Sequence, residues 1–174
     1  MKNAIVAGAV ILALGGAAQA ESLTEKTGVN AVLGVSPSTA DFVNAVGISD
    51  MFEIQSSQLA ATKTQGPVQT FASQMVTDHT KTTNDLKGLV AKTKIQLPTT
   101  MSNSQKSMLD KLQSLNGDDF SKQYVSDQVS AHKTAVSLFK RYSDGGHNTQ
   151  IKAWAAQTLP TLQHHLDIAN GLNK

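Results

Sequence analysis

Apolar residues recur at spacings of three and four positions along four long stretches of the chain, a period typical of amphipathic α-helices. The first predicted helix runs from Ala40 to Thr64 with Thr39 as its N-cap, and the second starts at Gly66-Pro67 and reaches about Lys94. Proline is tolerated in the first turn of a helix, because its missing N–H would have no helical partner there. No strand-like alternation of useful length is present, so the pattern predicts an all-α protein.

Two further long helices are predicted in the second half of the chain. One runs from about Asp118 to Tyr142, and the other from about Asn148 to Leu172, where Pro160 is expected either to kink the helix or to split it. Before them, Ser102-Asn103-Ser104-Gln105 has the spacing of a capping box and opens a shorter helix that ends at Leu115.

The connections between these helices indicate the topology. Short links join the first helix to the second and the third long helix to the fourth, so the helices of each pair must be antiparallel neighbours. The longer connection in the middle, with its own small helix, could return the chain to the starting end. We therefore predict a ferritin-like antiparallel four-helix bundle with a short extra helix in the crossover connection, formed by residues 39–174.

The N-terminal residues have the features of a secretory signal. Lys2 supplies a positive charge, Ala4 to Leu14 form a short apolar stretch, and Ala18-Gln19-Ala20 fits the small-x-small cleavage pattern. We expect a signal peptide over residues 1–20 and an N-terminal arm or linker over residues 21–38. The mature protein is then expected to be soluble and periplasmic, with no transmembrane segment.

Composition narrows the possible functions. The 174-residue chain has no cysteine, so neither a disulfide framework nor a lipid anchor on a cysteine is available. Its formal net charge is only +2, and no basic run is longer than Lys140-Arg141, so nothing indicates binding to nucleic acid. A protein partner of unknown identity is compatible with this surface.

Four polar residues occupy positions in the helices where apolar residues belong: Glu53, His79, His132 and His165, one in each long helix. Buried carboxylates and imidazoles need partners, because desolvation without them costs several kcal/mol. On facing helices they could share one transition-metal ion (Zn, Cu, Fe or Mn) or satisfy one another by hydrogen bonds. The sequence leaves both possibilities open.

Depth along the bundle distinguishes one of these residues. Glu53, His79 and His132 lie at comparable distances from the turns next to them. His165 lies ~10 Å further along its helix at ~1.5 Å per residue, so only a late helix start or a break at Pro160 would bring it level. Of the other polar residues, Asp78 is expected to be solvated or to support a ligand, and Asp127 to be exposed. His147 and His164 are expected to lie outside the cluster.

The same segments resemble a known bacterial exported family. The stretch Phe71 to His79 is similar to its "FA…M…DH" core, and further blocks match it in order: Phe52-Glu53-Ile54 with Gln58-Leu59-Ala60, Phe120 to Tyr124 with Ala131-His132, and Leu159-Pro160 to His165-Leu166. That family is catalogued as domain of unknown function 4142 and often labelled "predicted outer membrane protein". The resemblance covers about residues 40–172 and implies a ferritin-like helical fold without implying an activity.

The di-iron ferritin pattern is not met. That pattern places a glutamate three residues before each histidine, where this chain has Val76, Val129 and Leu162. Ferroxidase chemistry is therefore not expected, and the sequence supports at most a site for a single metal ion.

These observations lead to ordered hypotheses. The first is a periplasmic protein that binds one transition metal through Glu53, His79, His132 and His165 in a buffering or stress-tolerance role. The alternative is a structural or protein-interaction module in which the same residues form only a hydrogen-bonded core. An enzyme ranks third, because no nucleophile elbow, phosphate loop or zinc-protease motif is present and catalysis would have to use the same cluster.

Overall fold

A computed structural model describes residues 29–173, and within this range the chain is all-helical with no strand. The helices are α1 (Val29–Val32), α2 (Thr39–Lys63), α3 (Gly66–Val90), α4 (Asn103–Ser114), α5 (Gly117–Gly145) and α6 (Thr149–Leu172). The four long predicted helices are α2, α3, α5 and α6, and α4 is the predicted short helix of the crossover. The all-α prediction is confirmed.

Local chemistry explains where the helices begin. Ser38, not the predicted Thr39, caps α2, because its hydroxyl accepts a hydrogen bond from the backbone N–H of Asp41. At α4 the predicted capping box is present between Ser102 and Gln105. Asn148 caps α6 by accepting bonds from the N–H groups of Gln150 and Ile151.

Some predicted boundaries need correction. Helix α3 ends at Val90, four residues before Lys94, and α5 continues three residues beyond Tyr142 to Gly145. Helix α6 is one continuous element and is not split at Pro160. Proline has no backbone N–H, so the carbonyl of Ala156, four residues earlier, has no helical hydrogen-bond partner. Pro160 and Ala156 are both exposed, so water can bind that carbonyl.

The four long helices pack around a common core. Helix α2 packs against α3, and α5 packs against α6; α2 also contacts α5, and α3 contacts α6. Hydrogen bonds between α2 and α5 join Thr39 to Tyr142 at one end and Ser57 to Tyr124 towards the other, so these two helices are antiparallel. Helix α4 packs against α2 and α5 and lies within the connection that carries the chain back from the end of α3 to the start of α5.

Two apolar clusters fill the interior and leave a polar layer between them. One cluster lies towards the α2–α3 turn and contains, among others, Phe52, Phe71, Met75, Phe120 and Tyr124. The other lies towards the opposite end and contains, among others, Phe42, Leu86, Phe139, Ile151 and Trp154. Along α3, α5 and α6 the buried residues His79, His132 and His165 come between the members of the two clusters.

The N-terminal arm is described only in part. Residues 33–38 connect α1 to α2, and Nη1 of Arg141 on α5 donates a hydrogen bond of 2.7 Å to the backbone oxygen of Val35. The predicted signal peptide over residues 1–20, and the arm as far as residue 28, lie outside the described residues. No helix within residues 29–173 is both long and apolar enough to cross a membrane.

Candidate metal centre

Three of the four predicted ligands meet inside the bundle. His79 of α3, His132 of α5 and His165 of α6 are buried, and one ring nitrogen of each lies within 4.8 Å of those of the other two. The ring centroids are 5.6 Å apart for His79 and His132, 5.6 Å for His79 and His165, and 5.4 Å for His132 and His165. The rings therefore form a nearly equilateral triangle.

The expected depth offset of His165 is wrong. Thirteen residues separate His132 from the last residue of α5, and sixteen separate the first residue of α6 from His165. The remaining three residues correspond to ~4.5 Å of helix, a difference that the side chains can span. The expected offset measured depth from Asp144 and Gly146, whereas α5 extends to Gly145 and α6 begins only at Thr149. The longer α5 and the later start of α6 remove more than half of the offset, and no break at Pro160 is needed.

Each imidazole has one nitrogen engaged by a fixed acceptor. Nδ1 of His79 lies 2.8 Å from a carboxylate oxygen of Asp50, and Nε2 of His165 lies 2.8 Å from a carboxylate oxygen of Asp78. Nδ1 of His132 lies 2.9 Å from the backbone oxygen of Gln128, one turn earlier on α5. Oxygen acceptors at these nitrogens favour a proton on each of them, which sets the orientation and tautomer of each ring.

The other nitrogen of each ring is buried without a hydrogen-bond partner among the described residues: Nε2 of His79, Nε2 of His132 and Nδ1 of His165. In the neutral form of each ring, with its proton on the engaged nitrogen, these three atoms carry lone pairs. Three such nitrogens in one buried site could coordinate a cation.

Glu53 borders this triangle but does not belong to the group within 4.8 Å. It is buried on α2, and its Oε2 has no hydrogen-bond partner in the described part of the chain. Burial raises the pKa of Glu53 to about 7, although the nearby His79 and a hydrogen bond with Gln128 lower it in part. The carboxyl is thus close to its own midpoint at neutral pH and is readily ionised by a neighbouring cation.

The three histidines differ in their affinity for protons. Burial and the positive charge of His79 lower the pKa of His132 to about 3. Burial also lowers the pKa of His165, and its bond to Asp78 offsets only part of that effect. Burial opposes the charged form of His79 as well, but the adjacent Asp50 outweighs it and raises the pKa of His79. Two of the rings are therefore neutral at pH 7 and ready to act as ligands.

The supporting residues were only partly visible in the sequence. Asp78 lies within hydrogen-bonding distance of His165, so it could support a ligand, which is one of the two roles predicted for it. Asp50 was missed, although it lies on α2 one turn before Glu53; it is buried, and its second oxygen accepts a hydrogen bond from Thr83. Asp127, expected to be exposed, is buried and accepts a hydrogen bond from Gln123. His147 and His164 are exposed, as expected of residues outside the cluster.

A family model described as "Domain of unknown function (DUF4142)" matches residues 24–172. The chain therefore belongs to this family, as the resemblance of its four sequence blocks implied. No curated protein and no solved structure matches the chain.

Proposed function

We propose that this DUF4142 protein is a ferritin-like four-helix bundle that binds one transition-metal ion through His79, His132 and His165, with Glu53 as a fourth ligand. The observation that carries the proposal is the convergence of three buried imidazoles: one nitrogen of each lies within 4.8 Å of the others, and each ring has one nitrogen without a hydrogen-bond partner among the described residues. Three imidazoles and one carboxylate form a donor set that suits Zn, Cu, Fe or Mn.

The residues behind the ligands support this proposal. Metal-bound histidines in proteins commonly donate their second N–H to a carboxylate or a backbone carbonyl, which fixes the ring and makes the ligand more basic. Asp50, Asp78 and the carbonyl of Gln128 occupy these positions for the three rings. The carboxyl of Glu53 would lose its proton on metal binding and neutralise one charge of the ion.

A single ion fits this chain better than a di-iron centre. The glutamates of the di-iron pattern are absent from positions 76, 129 and 162, which are apolar. The role we propose is metal buffering or stress tolerance rather than ferroxidase chemistry. A purely structural hydrogen-bonded core is the alternative that the experiment below distinguishes.

Elemental analysis and thermal melts of the purified full chain test the metal centre. We expect up to one equivalent of metal per chain. After chelation, added Zn, Cu, Mn or Fe should raise the melting temperature by about 5–10 °C at a hundredfold excess over Kd, since ligand binding to the folded state contributes about 2.7 kcal/mol.

The chain provides its own matched control. His165→Ala should abolish both the bound metal and the melting shift, whereas His164→Ala, which changes the exposed neighbouring histidine, should leave both intact. Metal-free protein whose melting temperature ignores all four ions would leave only the structural alternative.

Export to the periplasm is a separate part of the proposal. It rests on the charged, apolar and small-residue segments of residues 1–20. Expression of the full chain followed by cell fractionation and N-terminal sequencing should yield a periplasmic form that begins at Glu21. A cytoplasmic form that retains residues 1–20 would refute export and leave the metal centre unaffected.

A further inference from the structure

Gln128 is a fully buried amide on α5 that makes hydrogen bonds in two directions. Its backbone oxygen lies 2.9 Å from Nδ1 of His132, one turn later on the same helix. Its side-chain Nε2 donates a hydrogen bond of 3.3 Å to Oγ of Ser56, which is buried on α2. One residue of α5 therefore contacts a proposed ligand on its own helix and also the neighbouring helix, which carries Glu53.

The side chain of Gln128 reaches the turn of α2 that begins at Glu53. Ser56 follows Glu53 by three residues, and its Oγ donates a 3.3 Å hydrogen bond to the backbone oxygen of Glu53. Burial raises the pKa of Glu53, and a hydrogen bond from the side chain of Gln128 is one of the effects that oppose this rise. Such a bond favours the ionised carboxylate, so an N–H of the amide donates it. Because Nε2 carries two hydrogens, it can bind Ser56 and Glu53 together.

Packing alone does not account for an amide at this position. Oε1 of Gln128 is buried and has no hydrogen-bond partner among residues 29–173. A buried amide oxygen without a partner destabilises a fold, whereas an apolar side chain of similar length, such as methionine, would fill the same space without that loss. What the amide supplies and methionine does not is the pair of N–H groups directed at α2.

We propose that the side-chain amide of Gln128 is a positioning group of the metal centre, which holds the carboxylate of Glu53 in place as the fourth ligand. This rests on the proposed function and deepens it, because it names the residue through which α5 brings the ligand of α2 to the ion. A substitution at position 128 keeps the backbone oxygen that accepts from His132. The contact with Glu53 can therefore be tested on its own.

A double-mutant cycle on the zinc affinity of the full chain, measured by isothermal titration, tests this proposal. Gln128→Met should weaken zinc binding about 10- to 100-fold, as is usual when a group that supports a metal ligand is lost. In a Glu53→Ala background the same substitution should change the affinity by less than about twofold, because the carboxylate that the amide holds is absent. A role in packing alone would give equal losses in both backgrounds.

The spectrum of bound cobalt(II) provides a second measurement, because its visible absorption depends on the ligands of the ion. Gln128→Met should shift the spectrum of the wild-type chain towards that of Glu53→Ala, which keeps the three imidazoles without the carboxylate. A packing defect would lower the amount of bound cobalt and leave the shape of the spectrum unchanged.

Tyr124→Phe is the matched control. Tyr124 lies one turn before Gln128 on α5, and its hydroxyl forms a buried hydrogen bond of 2.9 Å with Ser57 of α2, so this variant loses a bond between the same two helices. Its zinc affinity should stay within about twofold of the wild type. If Gln128→Met does not fold by circular dichroism, Ser56→Ala removes the other partner of the amide and decides the same question. The expected loss of zinc affinity is then about fivefold, the effect of one hydrogen bond, and it should disappear in the Glu53→Ala background.

The failures of the two proposals are distinguishable. If the wild type binds zinc but Gln128→Met binds it equally tightly, loses the same affinity in both backgrounds or is matched by Tyr124→Phe, the positioning role is refuted and the metal centre stands. If Glu53→Ala binds zinc as tightly as the wild type, the positioning role is refuted with Glu53 as a ligand, and the three histidines remain. If the wild-type chain binds neither zinc nor cobalt, the proposed function is refuted and the positioning role with it.

Discussion

Asp78 holds His165 through one hydrogen bond, and it comes from α3, the helix that also supplies His79. Because Asp78 precedes His79 in the chain, α3 carries one of the three rings and the hydrogen-bond partner of another. The side chain of Asp78 is 31 % exposed, so a neutral side chain that replaces the carboxylate keeps its contact with water. Asp78 is therefore a suitable residue with which to test whether the supporting carboxylates position the ligands.

We predict that Asp78→Asn lowers metal affinity about 10- to 100-fold, because the amide cannot act as a charged acceptor for the N–H of His165. Isothermal titration with Zn measures the change. Asp167→Asn, on the exposed face of α6, is the matched control and should bind as tightly as the wild type. Equal affinities for all three proteins would show that Asp78 does not act through His165.

The raised pKa of Glu53 has a consequence with a definite sign. Burial raises this pKa from 4.5 to about 7, so the folded metal-free chain binds more protons than the unfolded chain between these values. The contribution of Glu53 to the free energy of unfolding therefore falls as the pH rises through this window. Glutamine has no such titration.

In metal-free protein, Glu53→Gln should become more stable relative to wild type as the pH rises from about 4.5 to about 7, by up to about 3 kcal/mol. Urea unfolding at pH 4.5, 6 and 8 measures this difference. With metal bound the sign should reverse at pH 8, because the variant lacks the carboxylate ligand. A stability difference that is independent of pH in the metal-free protein would contradict the buried, protonated state of Glu53.

Residue types were easier to predict than residue partners. The three histidines and Glu53 interrupt apolar stripes, so helical periodicity alone indicates that they face inwards. Asp50 and the carbonyl of Gln128 become partners only through the rotation of each ring and the relative depth of α2 and α3. A single sequence does not encode those quantities as a visible pattern.

At the scale of the elements, Gly47 shows how the crossover connection constrains a helix. Glycine inside a helix costs roughly 1 kcal/mol relative to alanine, which makes Gly47 a weakness on sequence grounds. In the structure a Cβ at this position would lie 2.7 Å from Cδ of Pro98. The proline ring is rigid, so α2 can contact this part of the crossover only where it has no side chain.

We predict that Gly47→Ala destabilises the protein although alanine is the better helix former, because the clash with Pro98 exceeds the gain in propensity. Gly88→Ala in α3 is the matched control, since a Cβ there meets no atom within 4 Å. That variant should gain about 0.5–1 kcal/mol. Chemical unfolding of both variants measures the difference, and a gain of stability in Gly47→Ala would contradict the close packing of the crossover.

The helices themselves were largely predictable, and their exact ends were not. Gly66-Pro67 and the capping box at Ser102 mark helix starts by local chemistry, which a sequence displays directly. The position of Gly145 as the last residue of α5, and the continuity of α6 through Pro160, depend on packing and on solvent access to a carbonyl. These small differences at the ends decided whether His165 was expected to be level with the other histidines.

At the scale of the whole molecule, the candidate site joins the two helical hairpins. Asp50 and His79 come from the pair α2–α3, and His132 and His165 come from the pair α5–α6. A metal held across both pairs would stabilise the hairpins against separation as well as each helix against local opening. The ion should therefore affect all four helices together.

We predict that Zn slows amide hydrogen exchange near residues 50–53, 79, 132 and 165 simultaneously in the full chain. Hydrogen exchange followed by mass spectrometry measures this protection, with His165→Ala as the variant that should lose it. Protection confined to one hairpin would indicate that the ion binds to only part of the proposed ligand set.

X-ray absorption spectroscopy of the zinc-loaded full chain tests the central claim most directly, because it reports the atoms bound to the ion. The proposed centre predicts three imidazole nitrogens at about 2.0–2.1 Å with a carboxylate oxygen at about 2.0–2.2 Å, and loss of the imidazole signal in a variant with alanine at positions 79, 132 and 165. A spectrum with one imidazole or none, unchanged in that variant, would show that the three buried histidines do not hold the metal.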